Sequence, residues 1–154
     1  MPRVHSRKEF LVNGEMKRIR LPFFDSFFQK NRKLTVWSEQ KIKKKNVDDT
    51  LNYIKCNQKE LLEEALLALI NHYSEWRNDY GYNEDELLEY MPIVSSMTDF
   101  SMIIKPTTIV IHSNPEDHHI VFGLIFDCTW DDHGVGFLFD KCKVIKIGQS
   151  DSAI

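Results

Sequence analysis

The sequence predicts an α+β fold, an antiparallel sheet packed against one long helix and one or more short helices. Three observations predict it. A stripe of apolar residues at helical spacing runs from about Gln58 to Trp76. Strand-like segments follow from Thr107 to Ile147, joined by short turns. Strands grouped after helices argue for an antiparallel sheet rather than for βαβ units.

Residues 1–8 read as a loose tail. Glu9 to Val12 and Met16 to Leu21 flank Asn13-Gly14, the strongest short signal for a type I′ hairpin. Pro22 ends the second arm. Phe23, Phe24, Phe27 and Phe28 then suit a short helical turn with one aromatic face. Leu34 to Trp37 is a strand candidate, and Lys41 to Asn46 reads as a solvated linker.

Asn57 is the expected N-cap of the long helix, with Glu60 completing a capping box. Leu62, Leu66, Leu69, Tyr73 and Trp76 repeat at three or four and form the stripe. Gly81 suits the left-handed conformation after a helix. Asn83 is placed to cap a shorter helix, Glu84 to Tyr90, stopped before Pro92. Ser95 to Met102 allows one or two helical turns.

Thr107 to His112 is rich in β-branched residues and reads as a strand, and Ser113 to Asp117 as a turn. In the next strand Ile120, Phe122, Leu124, Phe126, Cys128 and Trp130 share one face, which should meet the long helix. Gly136 to Phe139 and Lys143 to Ile147 complete a hairpin around Asp140-Lys141-Cys142.

At 154 residues the chain is expected to form one domain, 1–154. Within it lie a basic strand-rich region at 9–46, a helical region at 57–91 and antiparallel strands at 107–148. The longest apolar run is far too short to span a bilayer. The N-terminus has no apolar core behind its charges, which argues against a secretory signal. Three cysteines without paired spacing suggest reduced thiols and a cytoplasmic protein.

The net charge of -3 hides an asymmetry. Residues 1–46 carry thirteen Lys/Arg against four Asp/Glu, and the remainder seven against nineteen. One reading is attraction between the two parts within the fold. The sharper reading is nucleic-acid binding through region 17–45, where basic residues interleave with Phe23, Phe24, Phe27, Phe28 and Trp37. No recognition motif supports the sharper reading.

The densest chemistry lies in Trp130-Asp131-Asp132-His133-Gly134-Val135-Gly136. Asp131 or Asp132 can orient His133 as a general base, which defines a hydrolase alternative. The structural reading is a turn: short acids bond neighbouring amides, the glycines supply unusual dihedrals and Trp130 packs beneath. Trp130, Asp131, Asp132 and His133 are therefore the candidate partner-binding or structural turn.

Possible metal donors are also concentrated late: His112, Asp117, His118, His119, Cys128, Asp131, Asp132, His133 and Cys142. A zinc site needs three or four converging donors. His118 and His119 point to opposite faces of a strand, and no His-Glu-x-x-His or paired-cysteine spacing occurs. The expectation is no metal and no cofactor.

Residues 123–136, with Cys128-Thr129-Trp130-Asp131 and His133-Gly134-Val135-Gly136, and then Lys143 to Gly148, resemble a group of uncharacterised bacterial proteins. Those proteins carry a C-terminal hairpin with Cys-Thr-Trp-Asp, further acidic residues and His-Gly-Leu-Gly. The resemblance covers roughly residues 50–150. This chain departs from it in lacking a Glu between Asp132 and His133. The group is similar to toxin-immunity-type proteins. The resemblance thus implies a non-catalytic protein-binding module, an inhibitor of a cognate bacterial toxin, with no membrane partner.

Overall fold

A computed structural model describes residues 14–39, 41–112 and 120–154. The elements in chain order are β1 (Gly14–Arg20), α1 (Pro22–Phe28), β2 (Lys33–Glu39), α2 (Lys44–Cys56), α3 (Gln58–Asp79) and α4 (Glu84–Tyr90). A 3-10 helix (Met97–Met102), β3 (Ile104–Ile111), β4 (Val121–Cys128), β5 (Val135–Asp140), β6 (Lys143–Gln149) and a last 3-10 helix (Ser150–Ala153) follow.

The six strands form one sheet in the order β1-β2-β3-β4-β5-β6. The fold is α+β, but the sheet is mixed. β2 and β3 run parallel, with Thr35 opposite Thr108 and Ser38 opposite Ile111. All other pairs are antiparallel. The expected antiparallel sheet holds for four of the five strand pairings among the described residues, and the parallel β2–β3 pair is the departure from it. A parallel neighbour needs a long connection, and α2, α3, α4 and the first 3-10 helix make up that connection. The strand expected at Leu34 to Trp37, within β2, lies before the helices and supplies the parallel partner.

Local sequence explains most boundaries. Pro22 takes the first turn of α1, where its missing N–H costs nothing, and Gln29 closes the helix in the left-handed region at φ 54°. Asn83 and Glu86 form the capping box that starts α4. Gly81 adopts φ 71° between α3 and α4.

Three further expectations change. The expected linker Lys41–Asn46 holds a buried Ile42 and the first turn of α2. Val47, Leu51 and Ile54 bury one face of that helix at spacings of four and three. Asn57 stands at the expected N-cap position of α3, but its side chain does not cap that helix: its amide donates back to the Tyr53 carbonyl at 2.8 Å, closing α2. The expected strand at Thr107 begins earlier, at Ile104, and accommodates Pro106 through an irregularity before Thr108. The Glu9–Val12 arm of the expected hairpin and the Ser113–Asp117 turn lie outside the described residues. The other arm, as β1, pairs with β2.

The main core fills one face of the sheet. Leu62, Leu66, Leu69 and Tyr73 of α3 share it with Phe122, Leu124 and Phe126 of β4. Phe24 and Phe28 of α1 set their rings 6.5 and 6.0 Å from that of Phe126. α3 lies against β6, α1, α2 and the first 3-10 helix. The opposite face carries a smaller buried cluster of Trp37, Val110, Ile125 and Ala153. There Gly123 lets the C-terminal turn approach: a Cβ on it would fall 2.0 Å from the Ala153 carbonyl oxygen. This packing anchors β4 from both sides, and β4 delivers the chain into the turn that carries the site.

Candidate functional site

Six residues, 129–134, connect β4 to β5. The connection is tied down at its start. The Thr129 amide donates to the Ile103 carbonyl at 3.0 Å, and its hydroxyl donates to the Tyr90 carbonyl at 2.7 Å. Trp130 is buried and meets Tyr73 edge-on at 5.5 Å. The Trp130 carbonyl accepts from the Tyr82 hydroxyl at 2.7 Å. The turn closes when the Gly134 amide donates to the Asp131 carbonyl at 3.0 Å. Gly134 adopts φ 74°, and a Cβ there would lie 2.4 Å from the Phe126 carbonyl oxygen. Only glycine meets both demands without strain.

Asp131 is the centre of this arrangement. Its side chain is 6% exposed. Oδ2 accepts from the Tyr80 hydroxyl at 2.5 Å and from Gln149 Nε2 at 2.8 Å. Oδ1 accepts from the His133 amide at 2.8 Å and lies 3.1 Å from His133 Nδ1. One carboxylate thus joins the end of α3, the end of β6 and its own turn. Burial by itself would raise its pKa. The bonds donated by Gln149, Tyr80 and His133 outweigh burial and hold it below the ordinary Asp value.

Around this carboxylate lies an open cleft of about 570 Å³, lined by Tyr80, Tyr82, Tyr90, Asp132 and His133 among others. The Tyr80 and Tyr82 rings stack at 5.9 Å, and Tyr82 and Tyr90 tilt together at 5.4 Å. Burial, and then its bond to Asp131, push the Tyr80 phenol up. Tyr82 is also raised, by burial and then by Asp131, Glu86, Tyr90 and Asp132. Behind Tyr80 and Gln149 sits a smaller cavity of about 260 Å³, bounded by His72, Trp76, Trp130 and Ile147.

The four residues singled out in sequence come together with different exposures. Trp130 faces the core, Asp131 is enclosed, and Asp132 and His133 stand on the exposed rim. Tyr80, Tyr82, Tyr90 and Gln149 were not singled out as site residues. Tyr80 lies 51 positions from Asp131, and only folding brings the two together.

Among the described residues, the candidate metal donors His112, Cys128 and Cys142 each meet a different partner. His112 Nε2 lies 2.7 Å from the Ala153 carbonyl oxygen. Cys142 Sγ lies 3.1 Å from the Tyr53 hydroxyl. Cys128 Sγ bonds weakly to the Asp131 carbonyl at 3.5 Å. Asp117, His118 and His119 lie outside the described residues. Among the described residues no three His, Cys, Asp or Glu side chains gather as a metal site requires. The thiol nearest the turn, Cys128, is pushed up to about 12 by burial, which suppresses the reactive thiolate.

The basic region folds in a way that reduces its stacking surface. Phe24, Phe28 and Trp37 are buried, and Arg20 and Lys17 pair with Asp25 and Asp48. Lys30, Arg32, Lys33, Lys43, Lys44 and Lys45 remain exposed. No helix among the described residues is long and apolar enough to cross a membrane.

The chain belongs to the family described as a domain of unknown function, DUF6985, whose model matches residues 9–154. The match therefore includes the basic region as well as the turn and the long helix. Neither the curated proteins nor the solved structures yield a match.

Proposed function

We propose that this chain is a non-catalytic protein-binding module whose partner-facing site is the cleft between Tyr82 and the Trp130–His133 turn. The observation that carries this reading is the engagement of Asp131. Both carboxylate oxygens accept bonds from the chain's own Tyr80, Gln149 and His133. A carboxylate held ionised by such donors is a poor proton acceptor and a good structural anchor. In this reading α3 is the principal helix over the sheet, and its end presents Tyr80 to the turn. In its most specific form the module is an immunity-type inhibitor of a cognate bacterial toxin, as the resemblance of the Cys128–Gly136 segment implies.

The test is to fix the partner covalently through a photoreactive side chain at position 132, then purify it and mix it with the unmodified chain. The expected result is a stoichiometric complex, with both proteins chemically unchanged, that Asp132→Lys weakens. Chemical alteration of the partner that depends on His133 would contradict the proposal.

A second reading, a hydrolase, draws on one observation: Asp131 lies 3.1 Å from His133 Nδ1, the arrangement that orients an imidazole as a base. The neighbouring Cys128 thiol, raised by burial, supplies no activated nucleophile to that ring. A broad hydrolase panel comparing the parent chain with His133→Ala separates the two readings.

A further inference from the structure

Resting on the protein-binding reading, we propose that the tyrosine cleft receives a cationic side chain, an arginine or lysine carried on a basic segment of a different protein. Tyr80, Tyr82 and Tyr90 bring three aromatic rings to one opening, with ring centroids 5.4 and 5.9 Å apart. The faces of such rings attract cations. Asp132 stands exposed at the rim and Asp131 lies at the base. Glu86 lies near enough to bear on the Tyr82 hydroxyl. Among the described residues, no Lys or Arg lines the opening. The cleft therefore offers aromatic surface and negative potential in one place, a combination that suits a cation better than an anion or a plain alkyl chain.

The surroundings favour the same occupant. α4, which supplies Tyr90, carries Glu84, Asp85, Glu86 and Glu89 in seven residues. A basic segment entering the cleft would cross this face, so charge complementarity extends beyond the single side chain.

The experiment titrates the full isotope-labelled chain with acetyl-Gly-Arg-Gly-amide and with its lysine, norleucine and glutamate counterparts, following backbone amide resonances. The expected result is saturable shifts at Tyr82, Asp132 and His133 with the arginine and lysine peptides. Norleucine should bind about tenfold more weakly, the worth of a partly desolvated cation–aromatic contact, and the glutamate peptide should leave the cleft unshifted. Tyr82→Leu and Asp132→Asn should each weaken the arginine peptide, and the second acts at the exposed rim without disturbing the core. Equal binding of norleucine and arginine would overturn the inference, as would non-saturating shifts or shifts scattered over the acidic surface. Cleft shifts that grow with protein concentration alone would replace the foreign segment by a second copy of this chain. Peptide turnover abolished by His133→Ala would leave cation recognition standing but overturn the non-catalytic reading on which it rests.

Discussion

The Tyr80 hydroxyl donates to Asp131 Oδ2, so the last turn of α3 is fastened to the turn after β4 by a hydrogen bond between residues 51 positions apart. This contact links the core to the cleft. α3 is fixed by Leu62, Leu66, Leu69 and Tyr73 in the main cluster, and the bond carries that fixity from Tyr80, which borders both cavities, to Asp131 in the larger one.

Removing the donor tests the fastening. Tyr80→Phe keeps the ring and loses one bond to an ionised acceptor. It should lower stability by about 1.5–3 kcal/mol, the usual worth of a hydrogen bond to a charged group. Urea unfolding followed by tryptophan fluorescence reads the change.

Acid should reveal Asp131. Its folded-state pKa is depressed, so the folded chain binds its proton less readily than the unfolded chain does. The stability it contributes is present in full above the unfolded-state pKa and is lost as pH falls through the folded value. Stability profiles of the parent chain and Asp131→Asn should therefore differ above the ordinary carboxylate range and converge toward strong acid.

Two glycines with similar dihedrals should respond differently. Gly81 has φ 71° and nothing within 4 Å of an added Cβ, so Gly81→Ala should cost only the backbone term of roughly 1–2 kcal/mol. Gly134→Ala adds a clash with the Phe126 carbonyl to the same term and should cost distinctly more. Chemical denaturation of the two variants ranks them.

Trp130 supports the turn from beneath. Trp130→Ala should destabilise by about 3–5 kcal/mol, the cost of emptying a buried aromatic site. Leu66→Ala on α3 should cost about 2–5 kcal/mol for the same reason. Calorimetric unfolding checks both.

Much of the fold was legible where a local rule decides. The stripe from Leu62 to Tyr73, the Asn83 cap and the alternation from Phe122 to Phe126 each name an element from side chains close in sequence. α2 was hidden because Lys41 to Lys45 reads as a charged linker, although Val47, Leu51 and Ile54 carry helical spacing just beyond it. Asn57 carried a cap signal that the fold spends on the preceding helix. The parallel pairing of β2 with β3 leaves no local trace, since it depends on how a connection of more than sixty residues returns to the sheet. At the site, the short acids and glycines of the turn were legible. Its aromatic wall was not, because Tyr82 and Tyr90 are joined to Trp130 and Thr129 by hydrogen bonds to backbone carbonyls between residues 48 and 39 positions apart.

The proposed binding role requires Asp131 to hold the cleft rather than to take part in chemistry. The most direct measurement is thermal unfolding of Asp131→Asn beside His133→Ala, each run with a hydrolase panel. Asp131→Asn should lose about 2–4 kcal/mol, because the amide cannot accept all the bonds the enclosed carboxylate holds. His133→Ala keeps the backbone bond to Asp131 and gives up only the exposed ring's contact, so it should cost less than Asp131→Asn, and neither variant should change any turnover. An Asp131→Asn protein as stable as the parent, together with a turnover that either variant abolishes, would contradict the account and make the turn an active site.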